Sequence, residues 1–215
     1  LTDSSAASDV YKRQVMDDAD LGAAVATLVD AAMYNSGQCC CGMERIYVHE
    51  SQYDEFVERA VATISDYRLG NPLDADTTMG PMAHLRFADT VRRQTAAAVT
   101  AGATAHIATM DADDGGAYLT PQLLTGVTHD MEVMREESFG PVVGVMKVSG
   151  DEEAVALMND SRYGLTASLW TLDVERAARV GDLVETGTVF LNRADYLDPG
   201  PVSYTHLRAH ETKKH

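Results

Sequence analysis

The chain has 215 residues, and its 17 lysines and arginines against 33 aspartates and glutamates give a formal net charge of −16. With 45% hydrophobic and 23% charged residues, the composition is typical of a globular protein with a sizeable core, and the excess of acid argues against nucleic acid as a partner because phosphates would be repelled. No apolar run approaches the roughly 18 residues that a membrane-spanning helix needs, and the start lacks a signal-peptide pattern, so no membrane partner is expected.

The two ends of the chain differ from everything between them. Residues 1–14 and 201–215 carry neither helical nor strand periodicity, and both resemble adapter-derived translations that recur at the ends of unrelated assembled sequences. We predict that both ends are foreign and poorly packed, with one domain over 15–200 between them. A natural disordered tail is the alternative at either end.

Helical and strand patterns alternate in the first half of this body. Apolar residues recur at helical spacing from Leu21 to Met33, behind Asp20 as a predicted N-cap, and the Asn-Ser-Gly stretch at 35–37 ends the helix. The next predicted elements are a strand over 45–49, a helix over 54–67, a helix over 84–101 and a strand over 105–110.

The second half continues the alternation and defines the fold class. A nearly continuous apolar run over 141–148 predicts a central parallel strand that is covered on both faces. It is followed by a predicted helix over 151–159, strand over 167–171, helix over 174–184 and strand over 188–192. Such spacing implies right-handed crossovers, so we predict an α/β fold: an open, mostly parallel sheet with helices on both faces.

The three cysteines of the chain, Cys39, Cys40 and Cys41, are adjacent. A secreted disulfide framework would spread its cysteines along the chain, so we expect a reducing, cytoplasmic setting. Three contiguous thiols cannot easily converge on one tetrahedral ion, and no second Cys/His cluster has ligand spacing, so no metal site is predicted. In the turn between a helix and a strand, these cysteines are either small buried hydrophobes or an accessible thiol nucleophile.

Two motifs resemble those of the NAD(P)-dependent aldehyde dehydrogenase superfamily. In the first, Gly37-Gln38 stands one residue before Cys40, and Arg45 follows five positions after it. The second is the Glu-Glu-Ser-Phe-Gly-Pro segment at 136–141. Weaker matches follow the family's order over nearly all of 15–199: Gly70-Asn71-Pro72, Met79-Gly80-Pro81, Tyr163-Gly164-Leu165 and the segment from Gly187 to Asn192.

The resemblance implies a role for several side chains and a truncated catalytic domain like that of the family. Cys40 would be the nucleophile, with Cys39 and Cys41 as neighbours in the pocket wall. Glu137 would accept hydrogen bonds from the nicotinamide ribose, and Phe139 would pack beside the ribose and the nicotinamide. For Asn192, the resemblance implies a place near the aldehyde pocket, whereas a turn former at a strand end is an equally good interpretation.

The resemblance also implies oxidation of a small-molecule aldehyde to a carboxylic acid, with NAD or NADP as cofactor and a homo-oligomeric parent. The Cys40 thiolate would add to the aldehyde, hydride transfer would leave a thioester, and water activated by a general base would hydrolyse it. The family's base, a glutamate in a Leu-Glu-Leu-Gly-Gly type strand, and its cofactor domain would lie upstream of residue 15. We therefore expect a fragment that is inactive alone.

Two other functions compete with this interpretation. In a CoA-acylating aldehyde dehydrogenase, coenzyme A rather than water would release the acyl group. A non-catalytic binding or structural module could also keep the fold, although an idle site has no need of an exposed thiol.

Overall fold

One seven-stranded sheet organises the computed structural model, which describes residues 11–40, 42–164 and 166–194. The strands are β1 (Tyr11–Val15), β2 (Met43–His49), β3 (Thr104–Ala105), β4 (Gln122–Thr125), β5 (Val142–Val148), β6 (Thr166–Trp170) and β7 (Thr188–Leu191). Their order across the sheet is β3-β4-β5-β2-β1-β6-β7. Every neighbouring pair is parallel except β3 with β4.

Helices cover both faces of this sheet. They are α1 (Leu21–Met33), α2 (Glu50–Ser65), α3 (Leu85–Thr100), α4 (Glu132–Arg135), α5 (Asp151–Asn159) and α6 (Val174–Gly181). Helices α1 and α2 share one core with β2 and β5, where Leu28, Phe56 and Val145 are fully buried. The remaining helices pack on the opposite face, in two further clusters. The predicted open, mostly parallel sheet is confirmed.

The structure also confirms the predicted cap of α1. The Asp20 side chain accepts a hydrogen bond from the Ala23 N–H at 3.1 Å, which satisfies one of the backbone donors that a helix start leaves open. Most other predicted elements are present within a few residues of their observed bounds, and α5 coincides with its predicted range.

The predicted strand over 105–110 is wrong, because the strand β3 is only two residues long. Hydrogen bonds from a side chain take the place of the backbone pairing that a longer strand would have. The Gln122 amide donates to the Ile107 carbonyl at 2.8 Å and accepts from the Ile107 N–H at 3.2 Å. The backbone polar groups of Ile107 are therefore satisfied without strand pairing. Hydrophobic periodicity alone does not reveal that a side chain takes this role.

The prediction that residues 1–14 lie outside the fold is wrong for Tyr11 to Gln14. These residues form most of β1, which lies in the interior of the sheet and pairs with both β2 and β6. Strands β2 and β6 need a partner for the backbone groups that face each other, and the chain leading into Val15 supplies it although its side chains are not those of a typical buried strand. Residues 1–10 and 201–215, the remainder of the predicted tails, lie outside the described residues.

Two charged side chains of β1, Lys12 and Arg13, are completely buried. Because side chains alternate along a strand, Arg13 is on the same face as Val15, which belongs to the core beneath α1 and α2. The register pairs Arg13 with Ile46 of β2 and Ser168 of β6. A guanidinium at such a position carries a large desolvation cost even when it has partners.

Candidate active site

Cys39 and Cys40 lie in a sharply turned loop between α1 and β2. Asn35, Ser36 and Gly37 have φ values of 51°, 57° and 71°, and two consecutive non-glycine residues in this region are unusual because of their steric cost. A reciprocal pair of side-chain hydrogen bonds supports the turn. The Asn35 amide donates to the Gln38 carbonyl at 3.0 Å, and the Gln38 amide donates to the Asn35 carbonyl at 3.0 Å.

Two side chains of this loop fasten it to the segment that carries the Met-Gly-Pro motif. The Ser36 hydroxyl donates to the Gly80 carbonyl at 2.8 Å. The Gln38 side-chain oxygen accepts from the Ala83 N–H at 2.7 Å. The glutamine of the Gly-Gln pair thus uses its amide group to position the loop, and the structure brings this weaker motif to the cysteines.

Cys39 and Cys40 are half-buried and carry thiols rather than a disulfide. The N–H of Gly42 donates to the Cys39 carbonyl at 2.8 Å, which closes a turn around Cys40. A half-buried thiol on a turn is open to a small reactant, unlike the inert thiol of a core cysteine. Cys41 lies outside the described residues.

The second motif meets the first because β2 and β5 are parallel neighbours. The segments that precede two such strands lie at the same edge of the sheet, here its amino edge. The contact is close: a Cβ added to Gly37 would overlap the Gly140 carbonyl and lie 2.8 Å from the Pro141 nitrogen. Glycine at this position is therefore a packing requirement as well as a conformational one.

Phe139 and Glu137 lie beside this contact. Phe139 has a φ of 50°, and the residue is 38% exposed. Glu137 is half-buried, and its carbonyl accepts a hydrogen bond from the Gln94 amide at 3.4 Å. An accessible aromatic ring and a partly accessible carboxylate at the same edge as Cys40 are suited to a ligand with an apolar ring and hydroxyl groups.

A residue that the sequence analysis missed, Glu44, connects the two motifs. It is the second residue of β2 and is 5% exposed. Its Oε1 accepts hydrogen bonds from the N–H groups of Ser138 and Phe139, each at 2.8 Å. Burial raises the pKa of Glu44 to about 7, with a further increase from the charge of Glu137, against these two N–H donors and Arg45, which lower it.

The arginine of the first motif has a different place. Arg45 follows Glu44 on the strand, so the two side chains point to opposite faces of the sheet. Arg45 is 1% exposed and donates to the Ser161 hydroxyl at 3.2 Å, and burial lowers the pKa of its guanidinium. It therefore anchors the start of β2 from the face opposite Glu44.

The structure does not bring Asn192 to the cysteines. This residue follows β7, so it lies at the carboxyl edge of the parallel sheet, whereas Cys40 precedes β2 at the amino edge. Its side-chain amide is already used: it accepts from the Thr171 N–H at 3.0 Å and donates to the Thr171 carbonyl at 2.8 Å. With a φ of 52°, Asn192 has the geometry of a turn former, and the predicted place in the aldehyde pocket is not supported.

The described part of the chain holds neither a cluster of metal ligands nor a membrane-spanning helix. Within residues 11–40, 42–164 and 166–194, no group of three or more histidine, cysteine, aspartate or glutamate side chains could hold a metal ion. In the same part of the chain, no helix has the length and apolar character needed to cross a bilayer.

Comparison with known proteins adds a family match that spans most of the chain. Residues 12–204 match the profile described as "Aldehyde dehydrogenase family", so the match begins within β1. An aldehyde dehydrogenase of Paenarthrobacter nicotinovorans is 41% identical over 178 residues, which are 83% of this chain and 39% of that protein. Lactaldehyde dehydrogenase of Escherichia coli K12 is 37% identical over 183 residues, covering 85% of this chain and 38% of that protein.

A solved dehydrogenase structure has the same fold as this chain. The NADP-dependent glyceraldehyde-3-phosphate dehydrogenase from Bacillus halodurans C-125, in complex with NADP, superposes with a TM-score of 0.83 at 33% identity. The alignment covers 89% of this chain and 39% of that one. The chain thus spans about two fifths of the length of the relatives that it matches.

Proposed function

Because this chain belongs to the aldehyde dehydrogenase family, we propose that the protein containing it oxidises an aldehyde to a carboxylic acid with NAD or NADP, using Cys40 as nucleophile. The observation that carries the proposal is the contact between Gly37 and Gly140. It places the Cys40 loop against the segment with Glu137 and Phe139, so one edge of the sheet offers both a thiol and a surface for a cofactor.

The chemistry assigned to Cys40 needs an accessible thiolate. Its sulfur would form a bond to the aldehyde carbon while the carbonyl oxygen becomes an oxyanion. When bound, the nicotinamide would accept the hydride that leaves this carbon, and a thioester would result. Hydrolysis of the thioester would break the carbon–sulfur bond, release the acid and restore the thiol. Cys39 and Cys41 would shape the wall around the aldehyde.

Glu137 and Phe139 would bind the cofactor rather than react. The carboxylate of Glu137 can accept hydrogen bonds from ribose hydroxyls. The exposed ring of Phe139 offers an apolar surface for the ribose and nicotinamide. Holding the ring over the thiol is a large part of the expected rate increase, because positioning of reactants accounts for roughly 7–11 kcal/mol in favourable cases.

We extend the proposal to the location, the partners and the assembly of the protein. The placement of all three cysteines at 39–41, rather than spread along the chain, supports a reducing, cytoplasmic location. The net charge of −16 argues against a nucleic-acid partner. We also propose a homo-oligomeric parent and a partial catalytic domain. We propose a foreign origin for residues 1–10 and 205–215, the parts of the predicted tails that lie outside both the described strands and the family match.

Cys40→Ser in the full-length protein tests the proposed function. Aldehyde-dependent formation of NAD(P)H should fall by at least about 10³-fold, because a hydroxyl has almost no anion at neutral pH, unlike a thiol. Absorbance of the reduced cofactor measures the rate. An assay with added coenzyme A separates hydrolysis of the thioester from acyl transfer.

The neighbouring cysteines provide the matched comparison. Cys39→Ser and Cys41→Ser should mainly alter the preference among aldehydes. If Cys40→Ser kept most of the activity while Cys41→Ser lost it, the nucleophile would be Cys41. If the wild-type protein formed no NAD(P)H with any aldehyde, the dehydrogenase proposal would be wrong.

A further inference from the structure

The hydrogen bonds of Glu44 reach the part of the second motif that the cofactor would contact. One carboxylate oxygen accepts the N–H groups of two consecutive residues, Ser138 and Phe139, each at 2.8 Å. Phe139 has a left-handed φ of 50°, which is costly for an aromatic residue and persists only where the surroundings hold it. The Glu44 carboxylate is such a restraint, applied at the Phe139 amide itself.

We propose that Glu44 is a positioning residue, whose buried carboxylate fixes the Ser138–Phe139 backbone and thereby sets where Phe139 and Glu137 meet the nicotinamide half of the cofactor. The proposal rests on the proposed function for its catalytic consequence. Its structural content, the hold of Glu44 on two amides, stands independently. Glu44 itself does not contact the reacting atoms.

Few groups around Glu44 support a negative charge on its carboxylate. The second oxygen, Oε2, is buried and has no hydrogen-bond partner in the described part of the chain, and the same is true of the Ser138 hydroxyl oxygen. The charged neighbours that act on Glu44 are Glu137, which disfavours its ionised form, and Arg45, which favours it. Two backbone N–H groups are therefore the direct hydrogen-bonding support for the negative charge.

This environment makes the hold on the loop depend on pH. Burial raises the pKa of Glu44 to about 7, so both protonation states are populated near neutrality. An ionised carboxylate forms stronger hydrogen bonds with N–H donors than a neutral acid does. The loop should be held more tightly above the pKa than below it, so the affinity for the cofactor should be higher above the pKa.

Two sets of measurements test the proposal. In the 215-residue chain, the amide nitrogen resonances of Ser138 and Phe139 should titrate together, with a common midpoint near the pKa of Glu44. Glu44→Gln should abolish this titration. In the full-length protein, Glu44→Ala should raise the KM for the cofactor by about 10-fold or more, with a smaller effect on the KM for the aldehyde. Glu44→Gln should recover part of this loss, because its amide oxygen still accepts N–H donors.

Glu153→Gln is the control variant. The Glu153 carboxylate also accepts a backbone N–H, that of Ser149 at 2.7 Å, but it lies in α5, which follows β5 at the carboxyl edge of the sheet. This variant should leave the amide titration and the cofactor KM unchanged.

The outcomes separate the two proposals. Titrating amides in a protein that forms no NAD(P)H would retain the structural role of Glu44 and reject the dehydrogenase function. An active protein in which Glu44→Ala leaves the cofactor KM unchanged would overturn the positioning role, and one in which the two amides do not titrate would overturn its dependence on pH. A titration that persists in Glu44→Gln would also overturn it, because another group would then be responsible.

Discussion

Gly37→Ala is expected to destabilise the fold by about 3 kcal/mol or more and to separate the two loops of the candidate site. The added Cβ would overlap the Gly140 carbonyl and approach the Pro141 nitrogen to 2.8 Å. These are backbone atoms, so no side-chain rotation can relieve the clash. The φ of 71° adds a conformational cost for any residue with a side chain. Urea unfolding of the chain measures the loss.

A second glycine separates these two causes. Gly102 has a φ of 107°, and a Cβ at this position would meet nothing within 4 Å, so Gly102→Ala carries the conformational cost without a clash. We expect the loss in Gly37→Ala to exceed that in Gly102→Ala clearly. Labelling of Cys40 by a thiol reagent should accelerate in Gly37→Ala alone, as its loop is displaced. Equal losses in the two variants would mean that the contact with Gly140 is not as close as the structure shows.

Glu44→Gln is expected to gain stability relative to the wild type as the pH rises. The folded pKa of Glu44 is about 7, against 4.5 for an unperturbed glutamate. A carboxyl group whose pKa is raised by folding contributes stability that is fully present below the unfolded pKa. This contribution is lost as the pH rises through the folded pKa. At 1.36 kcal/mol for each pH unit, the wild type should lose about 3 kcal/mol relative to the variant, with a plateau above the folded pKa.

Unfolding free energies of both proteins across this pH range test the expectation. Glu153→Gln provides a contrast of opposite sign, because hydrogen bonds from Ser149 lower the pKa of Glu153; that glutamate stabilises the fold above its unfolded pKa and loses the contribution as the pH falls. A difference between wild type and Glu44→Gln that stays constant with pH would contradict the raised pKa. Ionisation of Glu44 has two separate effects. It strengthens the hydrogen bonds to the Ser138 and Phe139 N–H groups, and it lowers the free energy of unfolding because a buried charge has lost its hydration.

The elements that periodicity predicted are those with one buried face and a clear boundary. Helix α1 has a capping aspartate, and α5 follows an apolar strand after a glycine, so both are recognisable locally. Strand β1 could not be found in this way, because Lys12, Arg13 and Gln14 do not have the composition of a buried strand. Its place in the sheet is determined by the pairing of β2 and β6 on either side. Strand β4, four residues long, was missed because so short a segment carries too little pattern.

The candidate site shows the same division between local and long-range information. The two motifs indicated Cys40, Glu137 and Phe139, and the parallel pairing of β2 with β5 brings their segments to one edge. Glu44 was missed because a carboxylate near the start of a strand normally indicates a solvent-facing side chain. Its partners are 94 and 95 residues away along the chain. For Asn192, the motif gave the residue type without the sheet edge on which it lies, and its side-chain hydrogen bonds fit the alternative interpretation as a turn former.

The location of the thiol at the amino edge of the sheet has an electrostatic consequence. Ligands of open α/β sheets commonly bind at the carboxyl edge, where the positive ends of helix dipoles stabilise anions. Cys40 instead follows the end of α1, whose carbonyl groups give that end a partial negative charge, and the last turn of α1 contains no basic residue. This polarity favours a cation near that end of the helix. A nicotinamide ring is cationic when oxidised and neutral when reduced, so under the proposed function the end of α1 would favour the oxidised form of the cofactor over the reduced one.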